Sequence, residues 1–512
     1  MSYCQRVNNL STLRDGETLG RGIAFQYAYF ATLTLSGAAF YLYVIHIFPP
    51  SLVGSVALLI AILSLFPITF SFGLQYGWQH FTSYEIGTGN SDGVGSIARK
   101  AVRIGIILSI VSVATLIVTA NAISFLFFHS YAYVNLVYML ALDIPSAIMI
   151  SFLNSIMLGL QNFRKSGIIG MTYVVVVYAI SIAGLHITHS IYSIPVGWGA
   201  GYFIGVMLFY MDISGRTRSI SKTKFELRPI FSYSLPLYIT GILSYGAAYI
   251  DRLTVAYLKD LASIGVYNLA LLIASGTSIL SSPLGGIIFS KFSEFHGRKD
   301  SEMIREGVRI SSNAAAILYV PAALGISAIS VPVIKLLAGS GYVQGALPLS
   351  IILTINAVFI IGGPIGNAMQ GTRKTHVFII STGLALLSNL ILSFTLIPSL
   401  SLIGAAIAYS STGVVSFAVI YAFAREAGLV RLDARFLSRL WLSAGVMALA
   451  VYLIASVTKY QPLLLPIYVI AGFSVYVAMI HITSALREED KSLIASLIPK
   501  RLKILRKFVL LL

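Results

Sequence analysis

The sequence predicts an all-α polytopic membrane protein of about fourteen transmembrane helices, because so much of it is apolar. Of its 512 residues, 57% are hydrophobic and only 10% are charged, and the mean hydropathy is +0.87. Soluble chains are about 45–50% apolar and about 25% charged. Unbroken apolar runs such as VALLIAILSLF also exclude intrinsic disorder and the alternating strands of a transmembrane β-barrel.

Charged and polar breaks divide the chain into candidate spans, each close to the length of about 20 residues that crosses a bilayer. The first span is longer than the apolar core of a signal peptide, which is about 7–15 residues. We therefore expect it to be retained. The predicted spans are 22–47, 52–74, 103–128, 131–160, 167–188, 192–212, 231–257, 262–288, 308–338, 346–369, 377–397, 401–424, 439–458 and 463–484.

We attribute the net charge of +17 to the orientation of the chain in the membrane rather than to nucleic-acid binding. With these spans, 31 of the 35 lysine and arginine residues fall in the two tails and the even-numbered connections. Only Lys259, Lys335 and Lys459 lie in or beside the odd-numbered connections, which are short. Basic residues accumulate on the cytoplasmic side. We therefore expect a multi-pass protein of the cell membrane with both termini in the cytoplasm and no nucleic-acid partner.

The chain contains an internal repeat with an offset of about six spans. Each matching pair falls at the same place in a six-span unit, so the two units have the same orientation. Parallel repeats are typical of transporters that rock two bundles around a central site. The pairs are GAAF at 37–40 with GAAY at 246–249, RKAVRI at 99–104 with REGVRI at 305–310, and QNFRKS at 161–166 with QGTRKT at 370–375.

The repeat and the charge pattern predict six segments. They are a cytoplasmic tail 1–21, an N-lobe 22–212 with spans 1–6, a cytoplasmic linker 213–230, a C-lobe 231–424 with spans 7–12, spans 13 and 14 in 425–484, and a basic cytoplasmic tail 485–512. The basic tail 485–512 could form a helix at the surface of anionic lipid, or it could be frayed and solvated.

Signs of metal or catalytic chemistry are weak. The single cysteine, Cys4, allows neither an intramolecular disulfide nor a cysteine-based metal site. His186 and His189 have ligand-like spacing but no acidic residue nearby. The glycine-rich run 87–93 lacks the Lys-Ser/Thr ending and the strand–helix context of a phosphate-binding loop. We therefore expect a protein with no cofactor and no enzymatic activity.

Several short motifs resemble polysaccharide flippases of the MOP exporter superfamily. They are YIDRL at 249–253, IGVY at 264–267, LAGSGY at 337–342, and Asn389 followed by IP at 397–398 and GAA at 404–406. The first half departs from the family, since HIFPP at 46–50 stands where an arginine and an acidic residue are common.

This resemblance implies a Wzx-type flippase with two six-helix lobes around a cavity that opens alternately to each side. It would move an oligosaccharide linked to polyprenyl or dolichyl (di)phosphate across the cytoplasmic membrane, for cell-surface polysaccharide or glycan biosynthesis. Glycan-assembly enzymes and a coupling ion, H⁺ or Na⁺, are further expected partners.

Ionisable residues inside spans are the first candidates for the transport site. Arg252 could hold a diphosphate, snorkel to the outer interface, or form a structural ion pair. Asp251 should contact another helix or the sugar. Asp143 could bind the coupling ion or pair with Arg252; alternatively, it is a protonated, hydrogen-bonded residue at a kink caused by Pro145.

Uncharged polar residues in the spans could bind sugar hydroxyls or form interhelical hydrogen bonds. The cavity candidates among them are Gln75, Asn154 and Asn389, with Gln79, Asn313, Asn367 and Gln370 as further members.

Four other functions remain open on the sequence alone. They are a cation-coupled multidrug exporter, a lipid II flippase, a membrane-embedded glycosyltransferase and a glycan polymerase.

Overall fold

The computed structural model describes residues 3–88, 90–216, 226–277, 292, 295–296, 298–372 and 374–484, with side chains from residue 24 onward. Within these ranges the regular structure is helical, which confirms the all-α fold class. The predicted basic tail 485–512 lies outside the described residues, as does half of the linker 213–230.

The chain divides into two compact units, Met1–Tyr245 and Gly246–Leu512, with the boundary inside one long helix, α9. The first helices are α1 (Tyr3–Ile47), α2 (Pro50–Phe70), α3 (Leu74–Gly87), α4 (Ser91–Phe128), α5 (Val134–Met139), α6 (Asp143–Gly159), α7 (Phe163–Thr188), α8 (Ser193–Arg216) and α9 (Arg228–Leu258). The described helices that follow are α10 (Leu261–Thr277), α11 (Ser301–Ala328), α12 (Ser330–Ala338), α13 (Ala346–Phe359), α14 (Gly362–Gly371), α15 (His376–Leu400), α16 (Leu402–Glu426), α17 (Ala434–Val457) and α18 (Leu465–Thr483).

Twelve helical segments in the described part are long and apolar enough to cross a membrane, and they coincide with predicted spans 1–6 and 9–14. Predicted span 7 is the 31-residue helix α9, which is not among these twelve. Predicted span 8 begins with α10, and its remainder lies beyond the described residues. The count of fourteen therefore stays a prediction.

Predicted span 4 is two helices, α5 and α6, with a break at residues 140–142. Pro145, in the first turn of α6, has no N–H to donate to the carbonyl of Ala141, so a continuous helix would lose that hydrogen bond. Asp143 begins α6, and its N–H bonds to the carbonyl of Leu140 at 3.0 Å. Predicted span 10 is divided in the same way, between α13 and α14, shortly before Pro364.

Close helix packing in the first unit depends on a stripe of glycines on α8. Gly197, Gly201 and Gly205 follow one another at four-residue spacing and face α7. A Cβ atom at Gly197 would lie 2.3 Å from the hydroxyl of Ser181, and one at Gly201 would lie 2.4 Å from a methyl group of Val177. Small residues of this kind let helix backbones approach closely in a membrane.

The internal repeat is visible in the packing of each unit. Gly37 on α1 lies against Tyr178 of α7, with 3.1 Å from a built Cβ to the tyrosine oxygen. Its repeat counterpart, Gly246 on α9, lies against Leu386 of α15, with 2.9 Å to a leucine methyl group. In both units the first helix of the repeat therefore packs through a glycine on the fifth predicted span.

Ion pairs join chain segments that the charge pattern predicts on the cytoplasmic side. In the first unit, Lys165 at the start of α7 pairs with Asp212 near the end of α8. In the second unit, Arg431 after α16 pairs with Glu302 at the start of α11, at 2.8 Å. Each contact joins segments that the alternation of spans predicts on one face.

The segments predicted outside also meet one another. The Tyr43 hydroxyl lies 3.2 Å from Nδ1 of His186, near the ends of α1 and α7. The Lys259 ammonium donates to the carbonyl of Pro398 at 3.2 Å. These contacts agree with the predicted alternation, and the choice of inside and outside rests on the charge rule.

We predict that Gly201→Leu lowers the thermal stability of the detergent-purified protein, because the new side chain would overlap Val177. Overpacking of this kind costs about 1–3 kcal/mol. Gly445→Leu on α17 is the matched control, since a Cβ there meets no atom within 4 Å. Equal melting temperatures for the two variants, measured by fluorescence-detected size exclusion after heating, would contradict the packing argument.

The orientation can be tested with the single native cysteine. A membrane-impermeant maleimide should label Cys4 only after intact cells are permeabilised. In a Cys4→Ser background, a cysteine introduced as Gln461→Cys between α17 and α18 should react in intact cells. The reverse pattern would place both termini outside.

Candidate functional site

The second unit contains a buried polar cluster built around α9, here called the α9 cluster: Asp251, Arg252, Tyr267 and Asn389. Asp251 is fully buried. Its Oδ2 lies 2.6 Å from the hydroxyl of Tyr267 on α10, and that hydroxyl lies 3.1 Å from the carbonyl of Ala405 on α16. The tyrosine has one proton to donate. The hydroxyl therefore ties α9, α10 and α16 together through one shared donor.

Arg252 is held by an aromatic ring. Its guanidinium carbon lies 4.7 Å from the centre of the Tyr249 ring, a cation–π arrangement. Nε is buried without a hydrogen-bond partner, and the described residues place no carboxylate within ion-pair distance of this guanidinium. The structural ion pair considered from the sequence is thus absent from the described part. A positioned cation with an unused donor can bind an anionic group.

Asn389 connects the same cluster to α15. It is fully buried, its Nδ2 donates to the carbonyl of Ala247 at 3.2 Å, and its Oδ1 accepts from Ser393 at 3.0 Å. Ala247 lies one helical turn before Asp251 on α9. Three of the predicted site residues, Asp251, Arg252 and Asn389, therefore belong to one cluster.

Asp143 lies in the first unit, at the start of α6. It is fully buried, and neither carboxylate oxygen has a hydrogen-bond partner among the described residues. A Cβ built on Gly199 of α8 would lie 2.9 Å from Oδ1, so glycine makes room for this carboxyl group. The hydrogen-bonded aspartate considered from the sequence is not what the structure describes.

Asn154 lies on the same helix as Asp143, about 16 Å along its axis. Its Oδ1 accepts a hydrogen bond of 2.6 Å from Ser166 on α7, and Ser166 accepts one of 3.0 Å from Gln26 on α1. Gln26 also donates to the carbonyl of Phe163. Asn154 thus takes part in an interhelical network.

Gln75 lies on α3, where its Oε1 is buried without a hydrogen-bond partner in the described part of the first unit. The three predicted site residues of this unit, Gln75, Asp143 and Asn154, share no hydrogen bond with one another. Each is a separate polar position.

Sequence reasoning missed several partners. Tyr267 stands inside the IGVY motif, but nothing in the motif indicates that its hydroxyl bonds to Asp251. Tyr249 stands two residues before Asp251 in YIDRL, and an aromatic ring three residues from Arg252 is a signal that could have been used. Gln26 is a polar residue in the first apolar span, which could also have marked it.

A family model described as "Polysaccharide biosynthesis protein" matches residues 47–346, more than half of the chain. The chain belongs to this family. The matched region includes Asp251 and Arg252 on α9 and Tyr267 on α10. Asn389 lies beyond it.

One curated relative of the chain is the "Probable low-salt glycan biosynthesis flippase Agl15" of Haloferax volcanii. The two are 24% identical over 238 residues, which is 46% of this chain and 48% of the relative. The chain thus matches about half the length of that relative.

Solved structures share the fold. The lipid II flippase MurJ in an inward closed conformation has a TM-score of 0.67 at 19% identity, covering 90% of this chain and 98% of its own. An inward-facing multidrug resistance MATE family transporter of the MOP superfamily has a TM-score of 0.65 at 16% identity, covering 78% of this chain and 95% of its own. The fold is that of MOP superfamily transporters.

We predict that Tyr267→Phe lowers the melting temperature of the purified protein. The change leaves the buried Asp251 without its hydrogen-bond donor, a loss of about 1–3 kcal/mol. Tyr476→Phe is the matched control, because the buried Tyr476 hydroxyl has no hydrogen-bond partner among the described residues. Equal effects of the two variants would mean that the Asp251–Tyr267 contact does not stabilise the unit.

Proposed function

We propose that this protein flips an oligosaccharide linked to polyprenyl or dolichyl (di)phosphate across the cytoplasmic membrane by alternating access. The match to the polysaccharide biosynthesis protein family carries this proposal. The curated relative, named as a probable glycan biosynthesis flippase, supports it. The MOP transporter fold supplies a helical scaffold for such transport.

Arg252 would bind the phosphate of the lipid carrier. A guanidinium presents paired N–H donors that match phosphate oxygens. The Tyr249 ring holds this one by its face, and its buried Nε has no hydrogen-bond partner in the described part of the chain. The buried contacts of Asp251 and Asn389 would fix the position of α9. The prenyl tail would stay in lipid while the glycan crosses through a hydrophilic path.

Asp143 would bind the coupling ion, H⁺ or Na⁺. A buried carboxylate without hydrogen-bond partners is costly in an apolar medium, and a bound proton or cation would remove that cost. An ion drives transport only if its affinity differs between the inward-open and outward-open states. The break before α6 gives Asp143 a place where local geometry could change.

A glycan substrate is better supported than a drug or lipid II. The fold is common to flippases and multidrug exporters, so fold likeness does not choose between them. The family description names polysaccharide biosynthesis. We therefore assign the glycan carrier lipid as the substrate class.

We predict that Arg252→Ala reduces flipping at least about tenfold, since a hydrogen bond to a charged group contributes about 1.5–3 kcal/mol. The assay uses proteoliposomes that hold a fluorescent polyprenyl-diphosphate oligosaccharide and measures its access to an external glycosidase. Arg252→Lys should retain part of the activity, because it keeps the charge.

Arg435→Ala is the control, since it removes a positive charge from an exposed position on α17. Full flipping by Arg252→Ala would remove Arg252 from the proposed site. An absence of flipping by the wild-type protein would refute the proposed function itself.

A further inference from the structure

The second unit contains a cavity of about 270 Å³ between α14 and α16, close to the start of α15. We call it the α14 groove. Three aromatic rings and three uncharged polar side chains line it: Phe359, Phe378, Phe417, Asn367, Gln370 and Ser416. No charged residue of the described chain lines it. The groove shares no residue with the α9 cluster.

Glycines on α14 keep the groove open. A Cβ at Gly363 would meet no atom within 4 Å, and one at Gly366 would lie 3.7 Å from the Phe378 ring, an ordinary contact. Each helical glycine is destabilising by roughly 0.5–1 kcal/mol relative to alanine. On α8 the approach of α7 explains the glycines, but at Gly363 no neighbour requires one. At Gly363 the missing side chain therefore provides space, whereas Gly362 allows close packing, with 3.0 Å from a built Cβ to the Phe417 ring.

The polar side chains of the groove have no hydrogen-bond partner within the described part of the protein. Asn367 and Ser416 are partly buried and Gln370 is exposed. None of the three side chains makes a hydrogen bond to another described residue. A polar side chain that is only partly exposed can gain a hydrogen bond from a ligand without breaking one within the protein. These amide and hydroxyl groups therefore suit a ligand that brings its own donors and acceptors.

The aromatic rings supply the complementary apolar surface. The Phe359 and Phe417 rings lie 5.3 Å apart at 53° to each other, on the α13 and α16 sides of the groove. A pyranose ring has C–H groups that pack on an aromatic face and hydroxyl groups that bond to amides. A phosphate would require a cationic lining, which the described residues around the groove do not supply. The chemistry of the lining is therefore that of a neutral sugar.

We propose that the α14 groove is a subsite for a single neutral monosaccharide unit of the transported glycan. This proposal rests on the proposed function for its biological ligand. The volume lies just below the range of about 300–1,000 Å³ that holds drug-sized ligands, which suits one ring. Lys374 follows α14, and the charge rule places it in the cytoplasm. The subsite would then lie in the half of the membrane where a cytoplasmic glycan enters.

The test uses the full-length protein in phosphatidylcholine nanodiscs and a panel of neutral methyl hexopyranosides and methyl N-acetylhexosaminides. Saturation-transfer difference NMR should show transfer to the ring protons of at least one glycoside. Gly363→Leu fills the groove and should abolish the signal. Asn367→Ala should weaken the affinity about threefold to tenfold, the effect of one hydrogen bond.

Gly445→Leu is the matched control, because it adds the same side chain to open space on α17 and should leave binding unchanged. No signal from any glycoside with the wild-type protein, or equal signals from Gly363→Leu and Gly445→Leu, would overturn the subsite. A lipid detected by native mass spectrometry in wild type and absent from Gly363→Leu, without a glycoside signal, would assign the groove to a lipid and also overturn it.

The outcome is separable from that of the proposed function. Arg252→Ala should leave methyl glycoside binding unchanged while it reduces flipping. Glycoside binding by a wild-type protein that flips no lipid-linked glycan would refute the transport proposal and leave the sugar site standing. Flipping of the lipid-linked glycan without any glycoside binding would support the transport proposal and overturn the sugar subsite.

Discussion

Every other feature of this protein depends on the need to satisfy backbone hydrogen bonds where no water is present. In hydrocarbon an unpaired N–H or carbonyl costs several kcal/mol, so spanning segments become helices. Helices in lipid gain little from hydrophobic association and must pack by close contact. The glycine stripe of α8 and the paired contacts of Gly37 and Gly246 are the result.

The same constraint separates two kinds of buried polar side chain. Asp251 and Asn389 have partners on neighbouring helices, so they stabilise the second unit and orient the segment that carries Arg252. The carboxylate of the fully buried Asp143 has none among the described residues. A protein keeps such an unpaired polar group at a loss of stability, and the proposal for a coupling ion begins at this position.

Sequence patterns were sufficient for the helical class, for most span limits and for the repeat, because each depends on local hydropathy or on matching letters. They also drew attention to Asp251, Arg252 and Asn389 as polar residues in apolar runs, and their role in transport stays a prediction. They could not predict that Tyr267 is the hydrogen-bond partner of Asp251. Nor could they predict that the Tyr267 hydroxyl also contacts the carbonyl of Ala405, 138 residues away in the chain. Such contacts follow from the crossing of helices, and one sequence contains no record of that crossing.

The division of predicted spans 4 and 10 into two helices has a mechanical consequence. A continuous helix transmits rotation and axial displacement along its whole length, whereas a break before a proline uncouples its halves. The short helix α5 can tilt while α6 keeps its contacts, and α14 can do so relative to α13. Asp143 and the glycine-rich floor of the α14 groove both lie directly beside such a joint, so each sits where a small local reorientation changes its surroundings most.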